Sequence, residues 1–377
     1  MTPIKDIHLT LLIGPTVPVP VPKVVMSALQ SVEVTTSVGA RSGFQLSFTL
    51  SNQSPLHTIF LLAANASLLA LRVILVATIN GTPSVLADGV ITRQEVSPGP
   101  GAGVSVLTVT GEDLTTVMDR QEMSGIPYPA MPAEVRVALI VAKYAIYGIV
   151  PIVIPSFFQD IPIPVERIPS HEGTDLGYIN QLAAAVGHTF YIEPGPLPGM
   201  NTAYWGPEIK VGVPQPALNT DMDAHTNVES LTFNISHKDK AMPVVYIQNS
   251  TTKSPIPIPI PDINPLQPPL GVAQPLPSRL EMLKETAKLS PTAALALGVA
   301  RAAGTADSVE GSGSLDVLRY GRLLKARGLV GVRGAGMAFD GLYYVKSVTS
   351  TLKQGEFKQR FSLTRNGLIS ITPVVPV

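Results

Sequence analysis

Cysteine is absent from all 377 residues, which excludes disulfides, iron–sulfur clusters, thiolate zinc sites and a cysteine nucleophile. Charge is scarce as well. The 27 basic and 27 acidic residues make up 14% of the chain, against ~25% in an ordinary soluble domain. The two signs cancel, and a chain without a basic excess is poorly equipped to grip a phosphate backbone. Aromatics reach only 6%, with Trp205 the single tryptophan, so a carbohydrate platform of stacked rings has little to be built from. The N-terminal stretch holds Lys5, Asp6, a short apolar run at 9–13 and four prolines from Pro15 to Pro22. That is not the pattern of a secretory signal, and it implies a chain that folds in a cytoplasm. The Asn-x-Ser/Thr sequons at Asn52, Asn65, Asn80, Asn234 and Asn249 then read as chance. Residues 58–79 and 135–155 are apolar enough to raise a membrane question. Arg72 interrupts the first, and Arg136, Lys143 and Pro151 the second, so no membrane insertion is expected.

Hydrophobic residues, at 45%, and prolines, at 36, are plentiful. A hydrophobic chain of zero net charge is not disordered. Its neutral, apolar surface suits the buried centre of an interface, which points to an obligate assembly subunit.

Residues 1–119 read as a strand-rich barrel. Residues 43–50 alternate Phe44, Leu46, Phe48 and Leu50 with Gln45, Ser47 and Thr49, and residues 71–79 end at Asn80-Gly81, a strong hairpin signal. The period changes near 120, and residues 120–220 read as an α/β insert. One helix is expected over 133–147 with Val135, Leu139, Ala142 and Ile146 on its apolar face. A second starts at the cap Thr174, buries Leu176, Ile179, Leu182, Ala183 and Val186, and stops at Gly187. Strand character returns over 221–250 and 315–370, a second barrel. Between them, residues 251–314 form a connector: nine prolines within 254–277 predict extended polyproline and no sheet, followed by helices at 278–289 and 291–303 and a flexible link at 304–314. Residues 371–377 are an apolar tail. The fold class is therefore mainly β (α+β): two barrels, an α/β insert and a proline-rich, partly helical excursion.

No constellation argues for catalysis. His171, Glu172 and Asp175 precede a helix start, where acids oppose the helix dipole, and no second histidine sits at metal-binding spacing. The run from Gly331 to Gly336 lacks the Lys-Ser/Thr ending of a phosphate loop and is followed by a strand. Asp221 and Asp223 lie in a polar loop. The chain reads as a non-enzyme without metal or cofactor. Arg319, Arg322, Lys325, Arg327 and Arg333 form a basic cluster with two readings, a charged barrel edge kept from stray pairing or the lining of a channel for a polyanion. The tail, with Ile369, Ile371, Val374, Val375 and Val377, either folds back on its own barrel or docks on another subunit, where it would serve as a spike-docking segment.

The stretch 341–348 with 355–368 (GLYYVKSV and GEFKQRFSLTRNGL) resembles the closing hairpin of the phage late control protein D family of tail hubs, and the hub portion of type VI secretion spike proteins. The segment 175–191 is similar to their helix, glycine and aromatic strand, and 90–93 and 106–114 to their first-barrel strands. The resemblance implies two tail-tube-like barrels per subunit and a homotrimer that matches a sixfold tube to a threefold spike. It also implies partners: a separate spike protein, since the chain stops at 377 without a fused spike, tail-tube or tube-initiator proteins, other baseplate proteins and a tape measure protein, with DNA or cargo only in transit. The particle, a virion tail or injection machine, would be assembled in the bacterial cytoplasm. The alternative is a receptor- or carbohydrate-binding β-rich tail module, for which Tyr204 and Trp205 would be the platform unless they pack in a domain seam.

Overall fold

The computed structural model describes residues 7–51, 54, 56, 60, 71–99, 104–156, 161–165, 168–236, 240–248, 254–261, 267–284, 286 and 291–372. The first half contains β1 (Ile7–Gly14), β2 (Val19–Pro20), β3 (Leu29–Ser37), β4 (Gly43–Ser51), β5 (Arg72–Ile79), β6 (Thr82–Pro98) and β7 (Val104–Asp113). The period-two pattern works as expected in β4: Phe44, Leu46, Phe48 and Leu50 are buried while the intervening polar residues turn away. β5 is buried on both faces. It returns into β6 through Asn80 and Gly81, whose φ values of 50° and 82° are what a tight two-residue hairpin turn demands.

The insert holds a helix at Ala133–Ala142, β8 (Ile149–Val153), a helix at Asp175–Val186, β9 (Thr189–Pro194) and β10 (Asn201–Gly206). Its three strands form a mixed sheet in the order β8, β10, β9. The second helix starts as expected, with Thr174 Oγ1 accepting the Gly177 amide at 3.1 Å, and ends at Gly187 with φ of 70°. The first helix is shorter than expected and turned. Val137, Ile140 and Val141 face the core, whereas Val135, Leu139 and Ile146, the anticipated apolar side, are exposed. The segment is apolar on more than one stripe, and Arg136, whose Nη1 donates to Tyr178 Oη at 2.5 Å, selects the buried one.

The rest of the chain contributes β11 (Gln215–Asn219), β12 (Val228–Ile235), β13 (Ala241–Gln248), β14 (Pro255–Pro259), β15 (Gly271–Ala273), β16 (Arg279–Met282), β17 (Val309–Asp316), β18 (Leu329–Arg333), β19 (Gly341–Lys353), β20 (Glu356–Arg365) and β21 (Leu368–Ser370). One 13-stranded sheet runs through both halves in the order β12, β17, β20, β19, β3, β4, β7, β6, β5, β1, β2, with β18 beside β19 and β11 beside β18. The join is β3 against β19, antiparallel from Ser37 opposite Ser347 to Ser31 opposite Lys353. Phe48 and Leu107 of the first half and Tyr343 and Phe361 of the second belong to one hydrophobic core, each such side chain contributing about 1.5–3 kcal/mol by its burial.

Three expectations for the excursion are corrected. Residues 309–314 are not a flexible link: β17 is an interior strand, and its glycines make room for rings, since a Cβ on Gly313 would stand 2.7 Å from Phe361 Cζ and one on Gly311 3.0 Å from Phe233 Cε1. The prolines at 254–277 do not exclude sheet. Pro255, Pro257 and Pro259 alternate along β14, so every missing amide points to one edge, while the intervening isoleucines pair with β13, and just beyond the strand Ile260 N–H donates to Pro243 O at 2.9 Å. Residues 279–282 form strand β16, not helix, because β13 offers them a parallel partner, and Leu280 is 63% exposed. The helix Pro291–Gly304 forms as expected. No helix among the described residues is long and apolar enough to cross a membrane.

Candidate functional site

The five basic residues do not act as one group. Arg319, on the short helix Val317–Tyr320, and Arg322 and Lys325, in the loop after it, are exposed and make no ion pair among the described residues. Arg327 departs from both readings of the cluster. Its guanidinium lies 4.0 Å over the Tyr191 ring, Nη1 donates to Glu193 Oε2 at 2.9 Å, and Nη2 to Ser37 O at 2.8 Å and Ser42 Oγ at 3.3 Å. It fastens the insert to both halves of the sheet from a left-handed backbone with φ of 63°. Arg333 sits half-buried at the end of β18, its carbonyl accepting the Thr220 amide at 2.9 Å.

The start of the tail returns to its own chain, on the excursion. β21 pairs with β15, Ile369 N–H donates to Ala338 O at 3.1 Å and Ile371 N–H to Leu270 O at 3.1 Å. Ile369 and Ile371 stay 46% and 51% exposed beside Val272 and Met337, at 65% and 81%. Ile369 holds φ of 55°, a strained setting for a β-branched residue. Val374, Val375 and Val377 lie outside the described residues.

The cluster that looks most catalytic in the sequence is sealed. His171 is fully buried, with Nδ1 3.1 Å from Tyr128 Oη and Nε2 3.4 Å from Asp175 Oδ1. Asp175 is occupied by Lys143 Nζ, at 3.1 Å from each oxygen, and by Tyr144 Oη at 2.8 Å. Burial pushes the His171 imidazole below its ordinary range, partly opposed by Asp175. A hidden acid already held by a cation and a phenol braces the insert's core. The turn after β18 leads into β19, and Ala335 N–H donates to Asp340 Oδ1 at 2.8 Å, so it does not form an anion cradle. Asp221 and Asp223 sit exposed in a loop. Trp205 is wholly buried, edge-on to His188 at 4.4 Å, and Tyr204, 7% exposed, stacks on Tyr191 at 5.0 Å. Trp205 belongs to the insert's core and Tyr204 to the seam, and neither ring stands open on the surface.

Two buried arginines escape the sequence reading. Arg72 forms a two-pronged pair with Asp88, Nε to Oδ1 and Nη2 to Oδ2 at 2.7 Å each, and Nη2 also donates to Tyr147 O at 2.9 Å. Asn201 Nδ2 completes the node at 2.9 Å from Asp88 Oδ2, tying β5 and β6 to the insert. The signal visible in the sequence is a lone charge opening an apolar strand. Arg365 reaches Gly367 O, Asp340 O and Ala338 O at 2.7, 2.9 and 2.7 Å, with its guanidinium 4.4 Å over Tyr343, and thereby anchors the tail's first residues. Desolvation lowers its pKa from the usual arginine value.

A long sheet thus joins two strand-rich halves, with a small α/β insert clamped to both. The tail protein of Neisseria meningitidis MC58 superposes with a TM-score of 0.63 at 12% identity, covering 96% of this chain and 98% of that one. The fold is that of a phage tail protein. The 43 kDa tail protein of prophage MuSo2 from Shewanella oneidensis gives 0.60 at 14% identity over 96% and 99% of the two chains. An Escherichia coli protein described as a component of the type VI secretion system, similar in structure to bacteriophage T4 tail proteins, gives 0.54 at 12% over 93% and 76%. No family model matches the sequence, and no curated protein matches it. The mainly β class of this tail-protein fold agrees with the expectation from the sequence.

Proposed function

We propose that this chain is a structural baseplate hub of a contractile phage tail or a related contractile injection system, and that three copies form a ring joining the sixfold tail tube to the threefold spike around a central channel. The observation that carries the reading is the β3–β19 join. One chain presents two strand-rich halves side by side in a single sheet, so three chains present six, and a trimer can then meet a sixfold partner without a mismatch. The tail-protein fold along 96% of the chain supports it, as does a chain of few charges. No catalytic step is required of such a subunit. Its partners would be a separate spike protein, tail-tube or tube-initiator proteins, other baseplate proteins and a tape measure protein, with DNA or cargo passing through, in a particle assembled in the bacterial cytoplasm. The exposed patch around Ile369 and Ile371 is the proposed spike-docking surface, and Arg319, Arg322 and Lys325 the proposed charges facing the channel.

Mass measurement of the purified chain, alone and with tail proteins of the same particle, tests this. A trimer, or three copies per spike, is expected. A monomer that binds glycans would overturn the reading in favour of a receptor- or carbohydrate-binding module. Deleting residues 369–377 is expected to abolish spike attachment while the ring persists, and unchanged attachment would reject the docking role.

A further inference from the structure

Where the insert meets both halves of the sheet, a cavity of about 250 Å3 remains, bordered by Tyr191, Tyr204, Glu208, Val213, Arg327 and Tyr344. Small-molecule pockets span roughly 300–1,000 Å3, so this one is too small for a nucleotide or an oligosaccharide and large enough for one side chain. Its walls are built. Tyr204 and Tyr344 are 7% and 3% exposed, and Tyr191 is fixed between the Tyr204 ring and the Arg327 guanidinium.

The charges around it do not balance. Arg327 is taken by Glu193 at 2.9 Å, and Lys210 gives its hydrogen bonds to Asp307 at 2.8 and 2.9 Å. Among the described residues Lys210 is shared between Asp307 and Glu208, whose oxygen stands 4.0 Å from its Nζ, so these two cations serve three carboxylates. Burial pushes the Glu208 carboxyl above its ordinary range, more than Lys210 and Lys346 pull it back. At the rim, Val211 and Val213 are 43% and 94% exposed, an apolar lip in front of a surplus negative charge. An alkyl chain carrying a positive end has the complementary pattern: its stem covers the valines, and its charge meets the Glu208 carboxylate.

We propose that this seam cavity receives one lysine or arginine side chain presented by a partner protein, with Glu208 as its counter-ion. The inference stands on the cavity alone and does not require the hub reading. It is tested by titrating the full chain with N-acetyl-lysine methylamide and, in parallel, the norleucine analogue that lacks the charge, following tyrosine fluorescence and NMR shifts. Saturable binding of the lysine analogue is expected, weakened about tenfold in Glu208→Gln and restored in Glu208→Asp. Circular dichroism checks that each variant is folded. Equal binding of the norleucine analogue, an unchanged affinity in Glu208→Gln, or no saturable shift with the lysine analogue would each overturn the proposal.

Discussion

The two halves of the sheet bury an arginine each, and they neutralise it in opposite ways. In the first half Arg72 meets a carboxylate squarely, and the Arg72–Asp88 pair, at 3% and 0% side-chain exposure, is wrapped by Asn201 and the Tyr147 carbonyl. In the second half Arg365 meets no acid within bonding reach among the described residues and spreads its charge over three carbonyls and the Tyr343 ring. The first arrangement joins two folding units, strands to insert. The second shapes a turn and holds the tail's first residues. A guanidinium can be hidden either by one matched charge or by several dipoles, and the choice follows from what it has to connect.

The comparison can be broken most forcefully at Arg72. Arg72→Ala leaves Asp88 buried and unpaired and is expected to cost about 3–5 kcal/mol in urea unfolding, whereas replacing both partners by apolar residues of similar volume should recover most of that loss. Arg365→Ala strands three carbonyls but no charge, so about 2–4 kcal/mol is expected, and the double apolar rescue has no counterpart there. If both variants cost the same and neither is rescued, the distinction between the two modes fails.

A pH series sharpens the contrast through His188 in the insert. Burial pushes His188 down to about 4, against ~6.5 in the unfolded chain. The unfolded state takes up the proton first, so this contribution to stability is complete above about pH 6.5 and is lost as the pH falls toward 4. About 2 kcal/mol is expected, below the full linkage value because the ring is not wholly enclosed, and His188→Gln should flatten that part of the profile. The smallest effect belongs to the exposed basic residues. Arg319→Ala, Arg322→Ala and Lys325→Ala should each shift stability by less than about 0.5 kcal/mol, while Arg327→Ala, a few residues on, should cost well over 1 kcal/mol through the lost seam. Equal values at Arg327 and Arg322 would mean that the seam is not held as described.

Local patterns were legible wherever a segment's own residues decide its shape. The alternation from Phe44 to Leu50, the Asn80-Gly81 turn and the Thr174 cap with its Gly187 stop all form as their chemistry predicts. The misread segments share one cause, a neighbour distant in sequence. Gly311 and Gly313 look like a linker until Phe233 and Phe361 are seen to need the space. Pro255, Pro257 and Pro259 look like sheet breakers until β13 supplies a partner on the side where no proline amide is missed. For the helix Ala133–Ala142, several stripes were apolar enough to bury, and only its packing in the insert selected one. The same holds for the site: Arg319, Arg322 and Lys325 stayed on the surface where charge belongs, but nothing in the local sequence separates them from Arg327, which the insert's Tyr191 and Glu193 draw inward.

By itself, the order of residues determined the strand-rich class, the turns, and the lack of any thiol. These are short-range matters, settled by side-chain periodicity and backbone preference within a few residues. Tertiary structure alone decided that the two halves share a sheet through β3 and β19, that the insert is clamped by Arg72 and Arg327, and that Glu208 is left facing an aromatic cavity. Each of those depends on groups brought together from remote parts of the chain, where the cost of burying a charge or an amide is met only by whichever partner the completed fold supplies.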